Sequence, residues 1–155
     1  MPISFHSKTK ISTMISFTSI DVSYRIKNKL KVRNWIKSII VSEGKLVGDI
    51  TYVFCTDEYL GSMNQKYLNH NTLTDIITFD YSEKEKLAGD VFISIERITE
   101  NSSIYNTALH EELGRVMAHG VLHLSGYDDG TEQEQKMMRS REDYYIAKRG
   151  FDDNR

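Results

Sequence analysis

The sequence predicts an α+β fold, a mixed four-stranded sheet covered by about five helices. Three observations lead there. Short runs rich in β-branched and aromatic residues mix, without strict alternation, with longer segments of helical periodicity. No repeat, linker or low-complexity run divides the chain. Its 155 residues suit one domain with a substantial core. The expected organisation is a polar extension over 1–13, a single domain over 14–150 and a loose tail over 151–155.

Met14–Ser19 (MISFTS) alternates like a half-buried strand. Val32–Glu43 reads as a helix, with Val32, Trp35, Ile36, Ile39 and Ile40 at core spacing and Gly44 after its end. Leu46–Cys55 is β-rich. Thr56 then offers an N-cap, with Asp57 and Glu58 where a helix dipole favours anions, and the helix runs to Leu68. Asn69–Thr74 is turn-like, Ile76–Phe79 a short strand, Tyr81–Ala88 a charged loop and Gly89–Ile95 another strand. Glu96–Tyr105 reads as a short helix and Thr107–Ser125 as a longer one. Thr131 and Glu134 form a capping-box pattern that opens a last helix to about Arg149.

The chain carries a net charge of −2, which is not the overall balance of a nucleic-acid binder. Locally, Arg25, Lys27, Lys29, Lys31, Arg33 and Lys37 follow one another with no acid among them. Such a run could track phosphates, but a solvated basic face is the preferred reading. The single Cys55 ends an apolar run and reads as a buried thiol. It cannot form an internal disulfide, and neither a transmembrane segment nor a signal peptide is evident, so a cytoplasmic location without membrane contact is expected.

The chemistry concentrates in His119–Asp129, HGVLHLSGYDD. Residues i and i+4 share one helical face, so His119 and His123 can offer two imidazoles to one ion. Gly126 can end the helix and turn the chain back, and Asp129 then closes as a third ligand. Three ligands and an open position form the pattern of a catalytic zinc site. Asp128 is the rival ligand, or a group holding a histidine from behind. The spacing is that of the zinc-protease signature H-E-x-x-H-x-x-G-x-x-H, with Gly120 in place of the Glu and Asp129 in place of the last His. Glycine cannot be a general base, so peptide hydrolysis is disfavoured while metal binding is not. A carboxylate ligand leaves a divalent site at about +1 and admits manganese, iron or nickel beside zinc.

At these residues the chain resembles the YbeY family, whose pattern H-G-x-L-H-L-x-G-Y-D-H is matched from His119 to Asp128. Met63–Phe79 (MNQKYLNHNTLTDIITF) and Gly89-Asp90-Val91 resemble two further segments of that family. The resemblance implies a metal-dependent, single-strand-specific endoribonuclease, with zinc as the first choice. Its partners would be ribosomal RNA and the small ribosomal subunit, whose RNA it would mature at the 3′ end, and it would support ribosome quality control. His119, His123 and Asp129 would hold the metal, the attacking water would sit on it, and no side-chain base is identified. The family usually has an Arg where Leu68 stands; Lys66, His70 and Arg115 are candidate substitutes for contacting substrate. Asp75 either orients the site or satisfies backbone donors in its turn. The rival readings are a non-catalytic ribosome-assembly factor with a structural metal, a metallopeptidase and, more remotely, an iron oxygenase.

Overall fold

The computed structural model of the chain describes residues 14–69 and 74–151. The extension 1–13, His70 and residues 152–155 lie outside the described residues.

Nine elements follow in order: β1 (Ile15–Ser19), α1 (Lys29–Ser42), β2 (Leu46–Cys55), α2 (Asp57–Leu68), β3 (Ile76–Asp80), β4 (Lys86–Ser94), α3 (Ile95–Ile104), α4 (Leu109–Leu124) and α5 (Glu132–Ala147). The sheet has the order β1-β2-β4-β3. The first two pairings are parallel and β3 pairs antiparallel to β4, so the sheet is mixed, as expected.

Among the boundaries that differ from the sequence reading, α4 opens at Leu109 and α5 ends at Ala147, and three more have a local cause. α1 begins at Lys29, because Asn28 adopts a left-handed conformation and its carbonyl already accepts from Val32 N. β4 begins at Lys86, inside the charged stretch read as loop; Glu83 and Lys86 exchange backbone hydrogen bonds and shorten the β3–β4 turn. Ile95 opens α3 and does not end β4, because Ser94 caps that helix through Arg97 N. Phe151, assigned to the loose tail, is half-buried against the core, with the Arg149 guanidinium 4.0 Å from its ring centroid.

Both faces of the sheet are covered, which is why β2 reads as a nearly continuous apolar run. Tyr52, Phe54, Val91 and Ile93 face the large core shared with α1, α3, α4 and α5. Val53, Cys55, Phe92 and Ile77 face a smaller core under α2, with Leu60 and Met63. Burial, followed by the charges of Asp57, Asp21 and Glu96, pushes the Cys55 thiol up to about 12, which suits an inert core residue.

α4 is the central helix. Its Met117 carbonyl accepts from Tyr52 Oη at 2.9 Å, and Gly120 faces the sheet. A β-carbon at Gly120 would stand 2.9 Å from Val91 Cγ1 and 3.3 Å from Ile76 Cδ1. Glycine there lets the helix backbone lie against β4 and β3.

One acid ties α1 to α5 and to the loop between α4 and α5. Glu43, at the end of α1, accepts from Tyr127 Oη (2.7 Å), from Arg141 Nη2 (2.7 Å) and from Tyr145 Oη. Burial alone would raise its pKa; hydrogen bonds from Tyr145, Arg141 and Tyr127 outweigh burial and hold it below the ordinary 4.5. A carboxyl depressed by folding contributes its stability above the unfolded pKa and loses it as pH falls through the folded value. Glu43→Gln should therefore cost about 1–3 kcal/mol at neutral pH in urea denaturation. That gap should close in acid; a gap independent of pH would contradict the assigned role.

Candidate metal centre

The centre is assembled at the C-terminal end of α4. His119 and His123 lie one turn apart, with ring centroids 4.5 Å apart and planes at 81°. The helix then stops. Ser125 Oγ donates back to the Val121 carbonyl, Gly126 takes φ +112°, and Tyr127 N donates to the Leu122 carbonyl. A left-handed residue after the last turn is the usual way to reverse a chain here, and glycine pays no steric penalty for it. The reversal carries Asp129 back over the histidines. Its Oδ2 lies 3.2 Å from His119 Nε2 and 3.3 Å from His123 Nε2. Gln135 Nε2, from α5, donates to the Asp129 carbonyl and fixes the loop.

The tautomers follow from the partners. Glu142 Oε2 lies 2.7 Å from His119 Nδ1, and the Tyr127 carbonyl lies 2.8 Å from His123 Nδ1. A carbonyl and an ionised carboxylate only accept, so both Nδ1 atoms carry the proton. Both Nε2 atoms are left beside one carboxylate oxygen, Asp129 Oδ2, and the three atoms lie within 4.8 Å of one another. This donor set fits a divalent ion, with the outer hydrogen bonds already in place.

Sequence reasoning missed Glu142. It is only 5% exposed, and besides His119 it accepts from Arg115 Nη1 at 3.0 Å. The one signal available was its place on the inner face of α5, one turn after Met138. Burial works against a charged His119, yet the Glu142 hydrogen bond and charge, joined by Asp129 and Asp75, keep its pKa above the ordinary histidine value. The same negative groups would attract a metal cation.

Asp128 does not take the supporting position considered for it. It is exposed, and Glu142 and the Tyr127 carbonyl occupy both Nδ1 positions instead. Asp75 does lie at the site. It lines both cavities that meet at His119 and Asp129, one of about 530 Å³ bounded by α2 and β3 and one of about 370 Å³ bounded by α4 and α5. Burial raises the Asp75 pKa, and burial followed by the Asp75 charge raises that of Glu112 in the second cavity.

A model of the endoribonuclease YbeY family matches residues 14–150. The chain belongs to the YbeY family. The endoribonuclease YbeY of Flavobacterium psychrophilum is 48% identical over 130 residues, spanning 84% of this chain and 92% of the relative. That of Christiangramia forsetii is 51% identical over 115 residues, spanning 74% and 80%. The solution structure of TM1509 from Thermotoga maritima shares the fold, with a TM-score of 0.60 at 22% identity over 88% of this chain and 89% of that one.

Within this YbeY-family chain the cations are arranged differently from the sequence expectation. Leu68, where the family pattern has Arg, is 43% exposed and lines the larger cavity. Arg115 lines the smaller cavity but is engaged by Glu142 and by Asp143 at 2.6 Å. Lys66 sits over the Tyr67 ring, 5.3 Å from its centroid, and lines neither cavity. Arg139, which the sequence did not single out, lines the smaller cavity and acts on Glu112 by its charge.

Two outcomes test this geometry. Glu142→Gln should weaken zinc binding about 10- to 100-fold in competition titrations, with the fold retained. Gly120→Glu, which restores the protease residue, should destabilise the protein by about 1–3 kcal/mol from overpacking alone, with a further cost for the buried charge. A fully stable Gly120→Glu protein would contradict the close approach of α4 to the sheet.

Proposed function

We propose that this protein is a metal-dependent, single-strand-specific endoribonuclease that matures ribosomal RNA. Its work includes the small-subunit 3′ end and ribosome quality control, in the cytoplasm, with zinc as its ion. The observation that carries the reading is the convergence of His119 Nε2, His123 Nε2 and Asp129 Oδ2 in an open cleft of a chain whose relatives are named endoribonucleases. Among the described residues no helix is long and apolar enough to cross a membrane.

A bound divalent ion would supply Lewis-acid polarisation of a phosphoryl oxygen and ready ionisation of water. The protein's residues supply the rest. His119 and His123 would present their Nε2 atoms to the ion, because Glu142 and the Tyr127 carbonyl hold the Nδ1 protons. Asp129 offsets part of the ion's charge while leaving the cleft open toward β3. Asp75, with its raised pKa at the junction of both cavities, is suited to hold or pass a proton. Gly120 speaks against a peptidase on steric grounds as well as chemical ones. The position beside the first histidine faces Val91 and Ile76, with no room for a glutamate.

His119→Ala and His123→Ala should each reduce cleavage of a labelled single-stranded RNA at least 100-fold, and chelation should do the same to the wild type. Cleavage that survives stripping of the metal would overturn the mechanism. Wild-type protein that binds one ion per chain, cuts nothing and unfolds when a ligand is mutated would be an assembly factor with a structural metal. Casein digestion with added zinc should remain negative.

A further inference from the structure

The metal cleft is poorly equipped to hold the flanking phosphates of an RNA. The larger cavity presents Asp75, Asp80 and Asp129, with no Lys or Arg in its lining among the described residues. In the smaller one Arg115 is engaged by two acids, which leaves Arg139 facing four carboxyl groups. A polyanion held there needs cations from another part of the molecule.

Those cations stand at the opposite edge of the sheet. From Asp21 to Lys29 exposure alternates: Val22, Tyr24 and Ile26 turn inward onto the core, while Ser23, Arg25, Lys27 and Lys29 turn outward. Arg25 and Lys27 therefore fall on one outward side, about 6.6 Å apart where the chain is extended, a step comparable to that of an extended nucleotide chain, before left-handed Asn28 turns the chain into α1 with Lys29 at its first position. Lys31, two residues further along α1, points to a different side of the helix from Lys29, and none of these four makes an ion pair among the described residues. No acid intervenes between Asp21 and Glu43 in sequence. Arg33 differs, because its Nε donates to the Ile15 carbonyl at 2.7 Å and its guanidinium lies over Phe17.

The basic run borders a cavity of about 460 Å³ that includes Arg25 and Lys29 in its wall. Phe17, Tyr24 and Phe54 supply its aromatic surface. Phe17 lies parallel to Phe54 at 6.5 Å, and Tyr24 meets Phe54 edge-on at 5.0 Å. Half-buried Phe17 and Tyr24 line the cavity wall beside Arg25 and Lys29, and aromatic surface next to cations is the combination that single-stranded nucleic acid uses. Register connects this cavity to the cleft. Ser19 pairs with Phe54, Phe54 with Ile93 and Ile93 with Ile76, so cavity and cleft lip lie in one row across the sheet. Phe54, Ile93 and Ile76 all pack on the same core. Three strand spacings, about 14 Å, separate the two edges.

We infer that Arg25, Lys27 and Lys29, with Phe17 and Tyr24, form a second RNA-binding surface that anchors single-stranded RNA away from the metal centre. The inference rests on the proposed RNA-cleaving function and revises the solvated-face reading of this basic run. It makes the RNA a two-point ligand, cut in the cleft and held at the β1 edge.

The test is the triple variant Arg25→Ala, Lys27→Ala, Lys29→Ala, whose residues are exposed and make none of the fold's ion pairs. With a 20-nucleotide single-stranded RNA, long enough to cross the sheet with nucleotides to spare on either side, the dissociation constant should rise about tenfold or more near 0.1 M salt. The slope of log affinity against log salt should fall by about 2, at roughly 0.7 for each phosphate no longer neutralised. KM on the long RNA should rise with kcat unchanged, cleavage of a dinucleotide, whose single step is too short to reach both edges, should be unaffected, and Arg25→Lys should behave as wild type. Unchanged affinity and salt slope, in a wild type that binds and cuts RNA, would overturn this surface and leave it to an acidic protein partner or to solvent. A wild type that binds no single-stranded RNA would overturn both this surface and the RNA-cleaving function beneath it.

Discussion

The site depends on how closely α4 lies against the sheet. With Val91 and Ile76 within 3.3 Å of where a β-carbon would be, position 120 admits little beyond glycine. The backbone contact seats the helix so that its neighbouring face, carrying His119 and His123, opens at the rim of β3. The same contact removes the position at which a zinc peptidase carries its base. One packing constraint therefore places two candidate ligands and excludes one chemistry.

The third ligand depends on a second layer of contacts. Asp129 is 43% exposed in its side chain and has little packing of its own, so its position comes from the turn at Gly126 and from Gln135. Tyr127 links this turn to the body of the protein. Its carbonyl holds His123, and its hydroxyl reaches Glu43, which also ties down Arg141 and Tyr145. On the other side Glu142 connects His119 to Arg115. Buried polar networks rigidify a site in proportion as their members are satisfied; here Glu43 and Glu142 each meet several donors, while the buried Arg141 Nε meets no acceptor among the described residues.

Most of the fold was legible because its signals are local. The β2 run, the Thr56 cap and the Thr131–Glu134 capping box all form as the sequence suggests, since each is fixed by residues within a few positions. The start of β4 was not, because Lys86 and Leu87 enter the sheet through pairing with Leu46 and Val47, far away in sequence. The two histidines and Asp129 were legible from helical spacing and a turn glycine. Glu142 was not, because it reaches His119 from another helix and a buried glutamate carries no local signature. For the same reason Arg115 read as a free cation until its two acids came into view.

The net charge of −2 conceals a division of labour. Acids gather where an ion would be held, and uncompensated cations gather across the sheet. The central claim is that Asp129 completes a catalytic metal centre. The most direct measurement is bound metal and RNA cleavage in the same preparations of wild type, Asp129→Ala and Asp129→His, each verified as folded. Wild type and Asp129→His should hold about one ion per chain and cut RNA, while Asp129→Ala should lose about 10- to 100-fold in metal affinity, with activity falling in parallel. Full cleavage by metal-free Asp129→Ala would contradict the account.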